Sequence, residues 1–107
     1  MRMRIVLAPL LVMAAVEPAA ALDRRVRIVN DSKQAIVEFY GSHAGERPSE
    51  EDMLGAGDLA AGASLILSFE DGSGYCRFAF RAVFEDGLEL ARPSVNVCEV
   101  GTYRYTD

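Results

Sequence analysis

Apolar and polar residues alternate in steps of two along most of this chain. Tyr75 to Phe84 is the clearest case: Cys76, Phe78, Phe80, Ala82 and Phe84 fall on one face, and Arg77 and Arg81 on the other. A period of two puts one face on a core and the other in water, as in a half-buried strand of an antiparallel sheet. Glu85-Asp86-Gly87 breaks the pattern with hairpin chemistry. Leu88 to Arg92 then reads as the returning strand, with Leu88 and Leu90 inward and Glu89 outward. Pro93 ends that strand or marks a sheet edge.

Other segments behave alike. Arg24 to Asn30 sets Val26 and Ile28 against Arg25 and Arg27, and Asn30-Asp31-Ser32 is turn chemistry. Ala35 to Gly41 sets Val37 and Phe39 against Glu38, and Ser64 to Phe69 groups Leu65, Leu67 and Phe69. Asp71-Gly72-Ser73-Gly74 is a turn leading into the Cys76 segment. Val95 to Glu99 and Thr102 to Thr106 complete about seven short strands, which predicts an all-β fold, a small antiparallel β-sandwich. The chain has no Trp to pack on a disulfide, so only the general sandwich architecture carries over from antibody-type domains.

One segment reads as a short helical turn. In Pro48 to Gly55, Ser49 fits an N-cap with an acid three residues on, and Gly55 fits the stop. Glu50, Glu51 and Asp52 then occupy the first turn, where the helix dipole favours negative charge. Gly55, Gly57 and Gly62 make the following stretch a loop.

The first 21 residues follow a different pattern. Arg2 and Arg4 precede an uncharged run from Ile5 to Val16, then Glu17-Pro18 and Ala19-Ala20-Ala21. This is the charged, apolar and small-residue order of a secretory signal peptide. The run has 12 residues and contains Pro9, whereas a membrane-spanning helix needs about 20. Residues 1–21 are therefore expected to be removed, leaving residues 22–107 as one exported domain, periplasmic or secreted, with no membrane span after cleavage. No Cys follows the cleavage site and no twin-Arg pair precedes the run.

Charge narrows the partners. The full chain carries −5, with 11 Lys and Arg against 16 Asp and Glu. Without Arg2, Arg4 and Glu17 the mature domain has 9 against 15, or −6. That excludes a general nucleic-acid binder, which needs a basic face, and argues against charge-driven docking on anionic lipid. No Lys or Arg lies between Arg47 and Arg77, a stretch holding Glu50, Glu51, Asp52, Asp58, Glu70 and Asp71.

Cys76 and Cys98 are the only cysteines. In an exported chain two cysteines usually pair, and closing a loop of about 23 residues stabilises by roughly 3 kcal/mol. Alternation complicates the pairing. If Val95 and Val97 face the core, Cys98 faces away with Asn96, while Cys76 lies on the Phe face. A bulge near Asn96 or an inter-sheet disulfide at the sandwich edge would each reconcile them.

Candidate chemistry is sparse. The acidic loop 46–58, with Glu46, Glu50, Glu51, Asp52 and Asp58, is the candidate binding surface. Loop carboxylates are also hard-cation ligands, so Glu50, Asp52 and Asp58 are the candidates for a calcium-type site. No D-x-[DN]-x-[DN]-G run supports one. The sole histidine, His43, lies in Gly41-Ser42-His43-Ala44-Gly45, read as a flexible loop. A hydrolase would pair it with Ser42 or Ser73 and an acid, but no nucleophile-elbow pattern is present. A domain of this size also leaves little room for a cleft of several hundred Å³. Tyr103 and Tyr105, with Tyr40 and Tyr75, are read as core or sheet-surface residues. No catalytic residue and no cofactor are expected.

Several of these residues carry a resemblance. Ile28-Val29-Asn30 with Ile36-Val37-Glu38-Phe39-Tyr40, Leu54-Gly55, Leu59-Ala60-Ala61-Gly62, Phe84-Glu85-Asp86-Gly87 and Val95-Asn96-Val97-Cys98-Glu99 span most of the mature chain. Together they resemble a family of small exported β-rich proteins of Gram-negative bacteria with a two-cysteine domain of unknown function. Members often have a Trp before the Leu-Gly pair, which this chain lacks. The resemblance implies export and a β fold, and no functional residue. The expectation is thus a monomeric, exported binding or envelope-associated accessory module with a protein or envelope partner. A cation-binding module and a small hydrolase are the alternatives.

Overall fold

A computed structural model describes residues 23–107. The signal-peptide expectation for residues 1–21 lies outside the described residues. Six strands form two three-stranded sheets: β1 (Arg25–Asp31), β2 (Ile36–His43), β3 (Ser64–Ser68), β4 (Arg77–Phe84), β5 (Glu89–Asn96) and β6 (Thr102–Thr106). One sheet has the order β3-β1-β6 and the other β2-β4-β5. All pairs are antiparallel except β1 with β6, which run parallel. The all-β fold is as the alternation predicts, and Cys76 pairs with Cys98 as expected of two cysteines in an exported chain.

The core lies between the sheets. Val26 and Ile28 of β1 meet Phe39 of β2, Phe78, Phe80, Ala82 and Phe84 of β4, and Tyr105 of β6, all buried. Phe39 sits edge-on to Phe80 and Tyr105, and Tyr103 edge-on to Phe80. Such contacts between rings favour edge-to-face packing beyond simple area burial. Tyr105 thus belongs to the core, and Tyr103 packs against it partly buried.

The strand count falls from about seven to six because two expected strands are one. β5 runs through Pro93 without ending. It is an edge strand, where a residue without an N–H can be accommodated. The register shows how: Phe78 faces Val95 and Phe80 faces Arg92, so β5 carries an extra residue there. This bulge lies at Arg92-Pro93-Ser94 rather than near Asn96. Leu88, expected inward, precedes β5 in the turn and is exposed.

A second bulge, between Ile36 and Glu38, brings both Ile36 and Phe39 inward in β2. β2 also extends past Gly41 to His43, which pairs with Phe78. His43 is therefore the last residue of a strand and not part of a flexible loop.

Neither proposed route to the disulfide is the one used. Cys76 precedes β4 by one residue, and Cys98 follows β5 in a turn, where Asn96 Oδ1 accepts the Cys98 N–H at 3.0 Å. Outside the strand, Cys98 is released from the alternation. The bond joins the ends of neighbouring strands within one sheet, with a Cα–Cα distance of 5.2 Å.

The helical turn at Ser49 to Gly55 is also replaced. Isolated hydrogen-bonded turns stand there, Gly55 N–H to Asp52 carbonyl at 3.1 Å and Gly57 N–H to Leu54 carbonyl at 3.2 Å. Between Pro48 and two glycines the segment is too short to offset helix nucleation.

Candidate functional site

The acidic loop is a strap along the outer edge of β2. Asp52 Oδ1 accepts the N–H groups of Phe39 at 3.0 Å and Leu54 at 2.9 Å. Met53 N–H returns a bond to the Phe39 carbonyl at 2.7 Å. Farther on, Ile36 and Leu59 exchange backbone bonds at 2.9 and 2.8 Å. These contacts satisfy backbone groups of a strand that, among the described residues, has no neighbouring strand on that side. Asp52 is thus a structural acid. Glu46 Oε1 lies 3.5 Å from His43 Nδ1. Glu50, Glu51 and Asp58 are exposed. Among the described residues no three His, Cys, Asp or Glu side chains cluster closely enough to hold a metal ion.

Between this strap and β3 lies a groove of about 520 Å³. Its strap wall is Ser49 to Gly55, with Glu51 and Asp52; its other wall is Ile66 to Phe69. Met53, Phe69 and Phe78 supply apolar surface, and Asp71 stands at one end. The sequence expectation of too little room for a cleft is therefore corrected: a strap held off the sandwich edge creates space that the strands alone do not. Gly41 is part of the reason. A Cβ there would meet Phe69 Cε1 at 2.7 Å and Met53 Sδ at 3.3 Å. Only glycine lets the Phe69 ring lie across β2.

The loop after β3 is tied back to the start of β1. Arg24 Nη1 lies 2.6 Å from Glu70 Oε1, and its guanidinium also donates to the carbonyls of Gly74 and Tyr75, both at 3.2 Å. This presents Asp71, Ser73 and Tyr75 to His43. The His43 ring stacks at a tilt on Tyr75, centroids 4.2 Å apart, and sits edge-on to Phe78 at 5.1 Å. His43 Nε2 lies 2.8 Å from Asp71 Oδ2 and 3.5 Å from Ser73 Oγ. The Ser73 hydroxyl instead donates to Asp71 Oδ1 at 2.6 Å. Asp71 is consequently held well below the usual carboxylate range, first by Ser73 and then by His43.

His43, Ser73 and an acid do meet, as a hydrolase reading requires, whereas among the described residues Ser42 makes no bond to the ring. Yet a triad needs the nucleophile and the acid on opposite nitrogens of the ring. Here Glu46 does lie 3.5 Å from Nδ1, but Asp71 takes Nε2 at 2.8 Å ahead of Ser73 at 3.5 Å, and the serine proton goes to the Asp71 carboxylate and not to the ring. This arrangement clamps the end of β2 to the 70–75 loop.

Two features had little signal in the sequence. Asn30, read as a turn residue, is fully buried and uses its whole amide: Nδ2 donates to Gln34 and Leu59 carbonyls, and Oδ1 accepts from the Ser32 N–H and hydroxyl. On the outer face of the second sheet, Arg81 lies 4.1 Å above the Tyr40 ring. The Tyr40 hydroxyl donates to Glu38 at 2.6 Å, which pushes its ionisation up. Among the described residues, no helix is long and apolar enough to cross a membrane.

No protein-family model matches the chain, and no curated protein matches it. Among solved structures it is similar to a protein from Eubacterium rectale determined by NMR, with a TM-score of 0.51 and 10% identity. That likeness covers 86% of this chain and 82% of the other. At this identity it bears on the fold alone.

Proposed function

We propose that the chain is an exported, disulfide-stapled binding module whose site is the groove between β3 and the strap. One observation carries this reading: a cavity of about 520 Å³ lies between the strap and an edge strand. The volume falls within the usual range of ligand sites, and its lining mixes apolar side chains with a few carboxylates. Export, to the periplasm or beyond, is supported by the charged-apolar-small order of residues 1–21 and by the cystine, a bond that persists in oxidising compartments. The partner in this reading is a protein or envelope component. The Asp71 carboxylate, which takes both His43 Nε2 and the Ser73 hydroxyl proton, supports binding over hydrolysis.

Site-specific photo-crosslinking tests the proposal. A benzophenone side chain at Ile66, exposed on the groove wall, should capture a partner in the exported fraction of producing cells. The same probe at Leu88, exposed in the β4–β5 turn, should not. Equal adducts from both positions, or none from Ile66, would reject the groove as the site.

A further inference from the structure

We propose that the groove takes an extended basic peptide segment, added as a fourth strand to the free edge of β3; this rests on the groove being the binding site. The ladder with β1 sets which backbone groups are free. Phe69 N–H bonds the Arg24 carbonyl and Asn30 N–H bonds the Ala63 carbonyl, both at 2.9 Å. In an antiparallel pair alternate residues face the partner. Leu65 and Leu67 therefore bond to β1, and Ser64, Ile66 and Ser68 direct their N–H and C=O groups outward. Among the described residues no strand pairs with that edge.

The other edges are each blunted. The strap covers β2 through Phe39, Ile36 and Leu59. β5 carries Pro93 and a bulge, and Arg92 faces Phe80 across the ladder. β6 carries Arg104 at its centre. Proline, bulges, charged side chains and covering loops are the usual means of preventing strand addition. β3 reads Ser-Leu-Ile-Leu-Ser and has none of them. An unblunted edge that also forms one wall of a groove is the geometry of strand-addition recognition, where main-chain bonds supply affinity and neighbouring pockets supply selectivity.

Charge selects the class of segment. The residues lining the groove include Glu51, Asp52 and Asp71 and no Lys or Arg. Asp52 and Asp71 are already hydrogen-bonded. Glu51 makes no side-chain bond among the described residues, so its carboxylate is the one placed to receive a Lys or Arg. The same acidity disfavours a second copy of this chain as the occupant, because it would set like charges against each other.

The test uses the purified mature domain and three fluorescein-labelled heptapeptides: alternating Val and Lys, alternating Val and Glu, and the Val-Lys peptide N-methylated at every second residue. Anisotropy should show saturable binding of the Val-Lys peptide, weakened at least tenfold by Glu, by N-methylation or by Glu51→Gln, and weakened further by salt. Amide signals of Ser64, Ile66 and Ser68 should shift and gain protection from exchange. Equal binding of the N-methylated peptide would overturn strand addition. So would a peptide series that leaves those amides unmoved, even where crosslinking from Ile66 upholds the groove. Concentration-dependent dimerisation through β3, read by sedimentation, would overturn the choice of occupant.

Discussion

Asn30 and Leu59 are 29 residues apart, and the Asn30 side-chain amide donates to the Leu59 carbonyl at 3.0 Å inside the protein. The same amide bonds the Gln34 carbonyl at 2.8 Å, so one buried group ties β1 to the turn before β2 and to the end of the strap. Asn30→Ala should lower stability by about 1–3 kcal/mol, because the Gln34 and Leu59 carbonyls and the Ser32 hydroxyl each lose one of their bonds. Asn30→Asp should be worse, since its carboxylate would face the oxygens of Gln34 and Leu59. Urea unfolding of the three proteins ranks them; equal midpoints for wild type and Ala would contradict the assignment.

Tyr105 offers the opposite case. Its hydroxyl is buried and has no hydrogen-bond partner among the described residues. Tyr105→Phe should therefore stabilise the domain by roughly 1 kcal/mol, the desolvation of an unpaired polar group being removed. Burial also raises the Tyr105 ionisation above its ordinary 10.0. The unfolded chain then loses its proton first, so the contribution is intact below pH 10 and is lost as pH rises from there. The Phe variant should lack this alkaline loss. Thermal melts of both proteins from pH 8 to 11 provide the comparison.

Asp71 sets the acid side. Its ionised form is favoured in the fold by Ser73 and His43, which lowers its pKa from 3.8. Folded-state preference for the charged form means the contribution is fully present above about pH 4 and is lost progressively as pH falls below it toward the lowered folded-state pKa. In Asp71→Asn the loss between pH 4 and pH 2 should be shallower than in wild type. Parallel unfolding curves over that range would rule out the clamp.

Gly41 keeps β2 open to Phe69. Gly41→Ala should cost about 1–3 kcal/mol, because the new methyl would overlap a ring held in the core. Amide shifts should spread to Met53 and Phe69 on the groove walls. A fully stable, unshifted variant would show that the ring has room to move.

The cystine closes a 22-residue separation. Replacing Cys76 and Cys98 together by Ser should lower stability by roughly 3 kcal/mol. Mass spectrometry of exported material should find a chain starting at Leu22 whose thiols react only after reduction. Intact Met1 with freely alkylated thiols would count against export.

Local patterning determined which residues face inward where a strand is regular, and missed Ile36 in the bulged β2. Phe78, Phe80, Ala82 and Phe84 are buried as the alternation requires, because in an extended chain neighbouring side chains must point to opposite faces. The same reasoning failed wherever the backbone left that regularity. The bulge at Pro93 joined two expected strands, and the turn after Asn96 swung Cys98 toward Cys76. The short segment from Ser49 to Gly55 became a strap, because bonds to Phe39 replaced those of an isolated helical turn. Tertiary structure alone decided the parallel pairing of β1 with β6, the burial of Asn30, the contact of His43 with Asp71 and the groove beside β3. Each depends on residues tens of positions apart, and their meeting is set by how the sheets close over one core. The identity of nearest neighbours carries almost none of that information.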